Sequence, residues 1–283
     1  GLDGRQRHRQ RCKPVHIWLP IIGAIEIISI RKLSDKMQLS ICILQTDIIS
    51  PTMARPFGQN PAMIHTLLAD SLATKPYNNL EFDHQSYSVT KGEFPSDKDV
   101  FDAYFITGSR HSAYESLAWI SELEALIRRL HQQQQTIIGL CFGHQIIAQA
   151  LGGTVAKHGR GWNIGLQATE LNGQAKQEKD RLHLIYCHQD QIVTPAPEAT
   201  VLGSSTNCKY AIANIGHHIL SFQGHPEFTI EFAEALYRSR EALYQPAQYQ
   251  HAMRSLSNQH DNQTASGWII DFMLANKANH HQS

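Results

Sequence analysis

The chain has 283 residues, enough for one large or two small domains, and its 42% hydrophobic content is ample for a buried core. Its 25 basic residues balance 25 acidic ones, so bulk charge favours neither nucleic acid nor an anionic membrane as a partner. The five cysteines are odd in number and widely scattered, which does not fit a disulfide framework and favours a reducing, cytosolic setting.

No metal or cofactor is predicted from the sequence motifs. The 17 histidines include no pair at a convincing zinc spacing. The chain also has no phosphate-loop or dinucleotide fingerprint, so ATP binding by this chain is not expected.

Residues 1–36 make an unusual beginning, in which a basic stretch (5–13) precedes an apolar one (15–30). A transmembrane helix needs about 20 apolar residues, and this stretch is short and carries a charge. A signal peptide needs a small-residue cleavage site, which is missing. We therefore interpret residues 1–36 as an N-terminal extension outside the fold, and predict a functional domain over residues 37–283 that starts at Met37.

Strands and helices alternate in the first half of this domain. A loop with Pro51 and Pro56 follows the first strand. A helical apolar stripe then follows Asn60-Pro61, which is interpreted as an N-cap and N1 pair. A second amphipathic helix is predicted around Ile120–Leu130. The predicted strands are Gln38–Leu44, Leu80–Val89, Phe101–Thr107 and Thr136–Ile138. This alternation predicts an α/β fold with a doubly wound, mostly parallel, flavodoxin-like sheet.

The alternation of strands and helices stops after Gly153, where short strands follow one another and are separated by Gly, Pro, Asn and Ser clusters. We expect these strands to be more antiparallel and to belong to the same domain. Helices are predicted to close the chain, at Thr229–Leu243 and from about Thr264 to Leu274. The predicted short strands are Thr154–Lys157, Gly165–Leu171, Leu182–Cys187, Thr200–Leu202, Tyr210–Ile215 and Ile219–Gln223.

A cysteine lies at the bend between the fourth predicted strand and a helix, in the run Gly139-Leu140-Cys141-Phe142-Gly143. This is the cysteine version of the G-x-S-x-G nucleophile elbow, in which the glycines leave room as the chain reverses. Cys141 would then lie at a helix N-terminus, which favours a thiolate. The alternative is a buried structural cysteine beside a tight turn, and the two flanking glycines favour the nucleophile.

The segment Gly224-His225-Pro226-Glu227 offers a base for this nucleophile. Residues two apart on an extended chain point to the same side, so Glu227 can reach the imidazole of His225 and fix its tautomer. Pro226 would end the strand there. On its own the segment could equally be a surface turn, but together with an elbow cysteine it predicts a Cys-His-Glu triad.

Cleavage of an amide also needs donors for a tetrahedral oxyanion. The backbone N–H of Phe142, directly after the cysteine, is one candidate. The N–H of Gly108, after the neighbouring strand, is the second, although Gly108 could be simply a turn glycine. Ligands of doubly wound sheets bind at these strand ends.

The chain resembles the class I (triad-type) glutamine amidotransferases, specifically their free-standing GMP-synthase-like branch. The resemblance covers residues 38 to about 230 in family order and excludes residues 1–36. It is carried by four motifs, Phe105-Ile106-Thr107-Gly108-Ser109-Arg110, Gly139-Leu140-Cys141-Phe142-Gly143-His144-Gln145, Cys187-His188-Gln189-Asp190 and Gly224-His225-Pro226-Glu227.

By this resemblance Cys141, His225 and Glu227 are the triad. Gln145 and the backbone around Gln189-Asp190 would hold the amino-acid end of glutamine. His188 would be either a pocket residue or a structural histidine. The sequence shows no attached synthetase domain, so the resemblance leaves the ammonia acceptor open and suggests a separate synthetase subunit as a partner.

Two enzymatic functions and two less favoured alternatives are compatible with this resemblance. The first is hydrolysis of the glutamine amide through a γ-glutamyl thioester, with ammonia passed to an unknown acceptor. The alternative is a γ-glutamyl peptidase acting on glutathione-like compounds. A non-enzymatic regulatory homologue is disfavoured because all three triad positions are filled, and the related cysteine-elbow stress proteins are disfavoured by the downstream His-Pro-Glu. Neither a nucleic acid nor a membrane is expected as a partner.

Overall fold

The computed structural model describes residues 36–73, 76–175 and 177–280. The predicted N-terminal extension, residues 1–36, lies outside these ranges except for Lys36. The described helices are α1 (Pro51–Phe57), α2 (Asn60–Leu72), α3 (Ala118–Gln132), α4 (Phe142–Ala150), α5 (Ile230–Ser239), α6 (Pro246–Ser255) and α7 (Asn262–His280). In these ranges, no helix is long and apolar enough to cross a membrane.

The strands of the described residues build one nine-stranded sheet and a separate pair, β5 with β8. They are β1 (Met37–Gln45), β2 (Leu80–Ser88), β3 (Ala103–Ile106), β4 (Ile137–Leu140), β5 (Thr154–Lys157), β6 (Asn163–Leu171), β7 (Arg181–His188), β8 (Asp190–Thr194), β9 (Ala199–Ser205), β10 (Cys208–Ile215) and β11 (Ile219–Phe222). The order of the large sheet is β2-β1-β3-β4-β11-β10-β9-β6-β7.

The predicted fold class is confirmed. From β2 to β11 all neighbouring strands are parallel, and their order corresponds to the 2-1-3-4-5 order of flavodoxin-like sheets. From β11 to β7 all pairs are antiparallel, as the change of rhythm after Gly153 indicated. This antiparallel half curls back toward the end of β11. There the backbone N–H of His225 donates to the carbonyl of Ile185 in β7 at 2.8 Å.

Apolar side chains cover both faces of the parallel strands. One buried cluster joins β1, β3 and β4 to α2 and α7, and includes Phe105 and Trp268. A second joins the same strands to α3 and α4, and includes Leu123 and Ile146. Burial on both faces explains why the inner parallel strands β1, β3 and β4 are rich in apolar residues, whereas the edge strand β2 is polar and mostly exposed.

Several local predictions were wrong. The loop with Pro51 and Pro56 contains helix α1, in which Pro51 occupies a first-turn position that needs no N–H. Asn60 is the first residue of α2 and not its N-cap, which is Gln59. The strand β8 and the helix α6 were not predicted at all, and α5 ends at Ser239 and not at Leu243.

Candidate functional site

The strand-to-helix turn at Cys141 has the strained geometry of a nucleophile elbow. Cys141 adopts φ 53° and ψ −100°, a region that residues with a Cβ rarely occupy. Its N–H donates to the carbonyl of Phe222 at 2.8 Å, and its own carbonyl accepts from the N–H of Gln145 at 3.1 Å. The turn is therefore held by β11 on one side and by the first turn of α4 on the other.

The two flanking glycines are required by close backbone approach. A Cβ on Gly143 would lie 2.2 Å from the carbonyl oxygen of Ile106, the last residue of β3. A Cβ on Gly139 would lie 2.5 Å from Cδ1 of Ile147 and 2.8 Å from the backbone of Gly143. The predicted reason for the G-x-C-x-G spacing, steric room at the reversal, is thus confirmed.

The candidate base is adjacent to this turn because β11 is the parallel neighbour of β4. His225 follows β11, and its Nδ1 lies 2.7 Å from Oε1 of Glu227, so the carboxylate accepts and Nδ1 carries the proton. Its ring stacks on Phe228 with centroids 3.8 Å apart. The other ring nitrogen is left for Cys141, which interacts electrostatically with the imidazole.

The charged form of His225 is favoured by its two partners. Burial alone lowers the pKa of the imidazole, but the neighbouring Cys141 sulfur and the Glu227 carboxylate outweigh burial and raise that pKa well above its ordinary value. Side chains of His225 and Glu227 are only 4% and 3% exposed, so water screens this interaction little. The arrangement therefore stabilises the imidazolium form of His225.

The predicted oxyanion donors lie next to the thiol. Phe142 is the first residue of α4, so its N–H has no acceptor within the helix. The carbonyl of the Thr107–Gly108 peptide accepts from the N–H of Gly143 at 3.2 Å and from Thr46 Oγ1 at 3.0 Å. Because the peptide is planar and trans, the Gly108 N–H points the opposite way.

A Cβ on Gly108 would lie 2.9 Å from Cε1 of His225 and 3.6 Å from Cβ of Cys141. Gly108 therefore lies directly against both residues. Its lack of a side chain leaves room there for a reacting carbonyl group.

A cavity of about 630 Å³ opens above these residues. Seven of the nine predicted site residues line it, namely Gly108, Cys141, Gln145, His188, Gln189, Asp190 and His225. The Phe142 side chain is buried beside Trp119, so only its backbone can contribute to the site.

Gln145 and Asp190, both predicted to hold the amino-acid end of glutamine, are joined by a hydrogen bond of the protein itself. Nε2 of Gln145 donates to the Asp190 carbonyl at 2.7 Å and to Oε1 of Gln223 at 3.1 Å. Both N–H bonds are thus directed at protein acceptors, and the amide oxygen is the polar atom that remains for a ligand. Tyr114 donates to Oδ1 of the same Asp190 at 3.1 Å.

His188 is a neutral donor in the cavity wall. Gln191 Nε2 donates to the Asn207 carbonyl at 2.7 Å, which fixes its amide, and its second N–H faces His188 Nε2 at 3.1 Å. Nε2 of His188 therefore accepts, and Nδ1 carries the proton. Among the described residues this buried Nδ1 has no hydrogen-bond partner. Burial, reinforced by the nearby His225, lowers the pKa of His188 well below its ordinary value.

Gln223 is a site residue that the sequence analysis did not select. Its Nε2 lies 3.6 Å from Sγ of Cys141, and its Oε1 accepts from Gln145. It precedes His225 by two positions, and the same period-2 argument that linked His225 to Glu227 could have identified it. In the described residues, no group of three or more His, Cys, Asp or Glu could hold a metal ion.

His144, in the first turn of α4, hydrogen-bonds to β10 and β11. We expect it to make the stability of the protein depend on pH. Its Nε2 donates to the Tyr210 carbonyl at 2.8 Å and its Nδ1 accepts from Ser221 Oγ at 2.8 Å. Burial lowers its pKa from 6.5 to about 4, against the weaker raising effect of the Tyr210 carbonyl. Between these values the unfolded chain binds the proton and the native chain does not, so the free energy of unfolding falls as the pH falls from 6.5 to 4.

We expect this loss to reach about 3 kcal/mol at the low end of the window. Urea unfolding of the wild type and of His144→Gln between pH 7 and pH 4 would measure it. Glutamine retains an N–H for the Tyr210 carbonyl but does not titrate, so the variant should lose less stability on acidification. Equal slopes in both proteins would contradict the role of His144.

A mixed α/β sheet with a cysteine elbow after one strand and a His-Glu pair after its parallel neighbour is the arrangement found in the triad-type α/β class. The particular family is the class-I glutamine amidotransferases, to which this chain belongs, since the family model matches residues 77–241.

Relatives agree with this assignment. Gamma-glutamyl peptidase 2 of Arabidopsis thaliana is 37% identical over 153 residues, which cover 51% of this chain and 62% of that protein. The match thus spans less than two thirds of that relative's length. A glutamine amidotransferase-like protein of Schizosaccharomyces pombe is 28% identical and is covered completely, over 84% of this chain.

A solved structure shares the fold. The glutamine amidotransferase from Methylobacillus flagellatus is 21% identical, with a TM-score of 0.62, and the match covers 86% of this chain and 94% of that one.

Proposed function

We propose that this protein hydrolyses γ-glutamyl amide bonds through a thioester on Cys141, with glutamine as the simplest substrate. The observation that carries the proposal is the arrangement of a strained elbow cysteine, at a helix N-terminus, against the buried His225–Glu227 pair at 2.7 Å. We also propose that the functional domain comprises residues 37–283. A cytosolic setting is part of the same proposal, because the thiol must stay reduced.

The first half of the reaction forms the thioester. The Cys141 sulfur attacks the γ-carbonyl carbon, and the new oxyanion accepts hydrogen bonds from the N–H groups of Gly108 and Phe142. The C–N bond then breaks as His225 Nε2 gives its proton to the leaving nitrogen, so that ammonia or an amine departs. Glu227 holds Nδ1 protonated throughout, and therefore keeps Nε2 directed at the reacting atoms.

The second half releases glutamate. Neutral His225 takes a proton from water, whose oxygen attacks the thioester carbon, and the C–S bond breaks to regenerate the thiolate beside the imidazolium. The substrate's amino-acid end would lie against Gln145, His188 and the Gln189–Asp190 segment. Ammonia released from glutamine would pass to an acceptor, and a separate synthetase subunit is the partner we propose for that transfer.

A γ-glutamyl peptidase is the second candidate, and it uses the same chemistry. The relative from Arabidopsis, named a gamma-glutamyl peptidase, supports it. The cavity of about 630 Å³ supports it as well, since this is within the range of sites for drug-sized ligands and exceeds the needs of a single amino acid.

The test is release of glutamate from glutamine and from a γ-glutamyl dipeptide by the purified full-length chain. Turnover of either compound supports thioester hydrolysis, and the ratio of the two kcat/KM values separates the candidates. Absence of turnover with both, together with a Cys141 that does not react with a glutamine-like alkylating agent, would contradict the proposal.

A further inference from the structure

The cavity has a second region beyond the candidate catalytic residues, and its lining is apolar. Trp162, Phe232, Leu236 and Leu243 contribute to this lining, and none of them was singled out from the sequence. Trp162 is fixed there because its ring packs edge-on against Tyr244 with centroids 5.5 Å apart. An amide with no substituent on its nitrogen, such as glutamine, would leave this region unused.

Arg240 adds a positive charge to the same region. It caps the C-terminus of α5 and lines the cavity, with its side chain only partly buried. Its Nη1 lies 3.8 Å from Sγ of Cys187, which also lines the cavity. Cys187 lines the same cavity as Cys141 and His225.

The guanidinium of Arg240 has no counter-ion in the described part of the chain, where no carboxylate lies within ion-pair distance of it. Two other cations line the cavity, but Arg110 is paired with Asp47 at 2.8 Å and Lys157 is solvent-exposed. A partly buried cation without a counter-ion is costly and favours binding of an anion. The planar fork of a guanidinium matches a carboxylate in particular.

The position of His225 indicates which part of a substrate would reach Arg240. As the general acid, His225 must face the leaving nitrogen, so the group attached to that nitrogen lies on its side of the cavity. The backbone N–H of His225 donates to the carbonyl of Ile185 in β7. Cys187 lies two residues further along this strand and contacts Arg240. The amino-acid end of the substrate is assigned to the opposite contacts, around Gln145 and Asp190.

We propose that Arg240 binds the carboxylate of the amino acid that leaves with the cleaved nitrogen, and that the preferred substrates are γ-glutamyl amino acids or peptides with an apolar side chain. Trp162 and Leu243 would pack against that side chain. This proposal rests on the proposed hydrolysis of γ-glutamyl amides and adds to it a specificity-determining residue and a substrate class.

The test compares γ-glutamyl-leucine with γ-glutamyl-leucinamide, which differ only in the terminal carboxylate, on the full-length chain. We expect kcat/KM to be roughly 10- to 100-fold higher for the carboxylate, mainly through KM, because a hydrogen bond to a charged group is lost in the amide. In Arg240→Met this ratio should fall to near one, and Arg240→Lys should restore part of it. Arg238→Met, an exposed position on the same helix, should keep the wild-type ratio.

The ratio separates a binding role from structural damage, which would lower turnover of both compounds equally. Equal turnover of the two compounds by the wild type, or an unchanged ratio in Arg240→Met, would overturn the role of Arg240 and leave the proposed hydrolysis intact. Absence of turnover of both compounds and of glutamine would instead contradict the proposed function, and with it this inference.

Discussion

Replacing Cys141 with alanine is expected to reduce glutamate release from any γ-glutamyl substrate by at least about 10⁴-fold. The variant retains the cavity and the N–H donors of Gly108 and Phe142, but it cannot form the thioester. Alanine keeps the Cβ and therefore the backbone geometry of the turn, so we expect little change in stability. Glutamate release should be measured with enough protein to detect the residual rate.

A matched variant is Cys208→Ala, which removes a buried cysteine outside the cavity. Burial raises the pKa of Cys208 to about 12, so this thiol stays protonated and should resist alkylation. The control should therefore keep turnover within a few-fold of wild type. Persistent turnover in Cys141→Ala, or alkylation of Cys208 ahead of Cys141, would rule out Cys141 as the nucleophile.

Gly143→Ala is expected to cause the largest loss of stability among the glycine substitutions at the elbow. The added Cβ would lie 2.2 Å from the Ile106 carbonyl oxygen, which belongs to the backbone and cannot move aside as a side-chain tip can. The contact forces α4 away from β3, and we expect a cost of about 2–4 kcal/mol and a Tm lower by roughly 5–15 °C. The displacement also moves the Phe142 N–H, so turnover should fall together with Tm.

Gly173→Ala provides the control, because a Cβ at that position meets nothing within 4 Å and its φ is not in the left-handed region. Calorimetry of the three proteins should place this control within about 1 °C of the wild type, because surface substitutions of this kind have small effects. If the Tm of Gly143→Ala equalled that of the wild type, the close approach of α4 to β3 would not be a constraint on the elbow.

Much of the site could be predicted because its signals are local. The elbow is a contiguous run of seven residues with glycines at fixed positions. His225 and Glu227 are only two positions apart, and they pair across a turn and not along an extended chain as predicted. The alternation of apolar runs with helical stripes was enough for the parallel half of the sheet. In this half the structure differed from the prediction at the ends of the elements and at α1.

Other parts of the site have no local signal. Arg240 reaches the cavity because α5 packs where the curled antiparallel half places β7, and this depends on contacts between distant segments. The β8 strand is short, with two exposed residues, and carries neither a clear alternation nor an apolar run. Helix α1 was missed because Pro51 and Pro56 were read as loop residues, whereas one fits a first-turn position and the other lies near the helix end.

The contacts that surround Cys141 also determine when the thiol can become reactive during synthesis. Its hydrogen bonds to β11 and Gln223 join residues about 80 positions apart, and Gln145 is joined to Gln223 across 78 positions. A ribosome produces Cys141 well before it produces His225, and contacts of such long range form late in folding. The growing chain therefore carries Cys141 without these partners, which join it only when the sheet is completed.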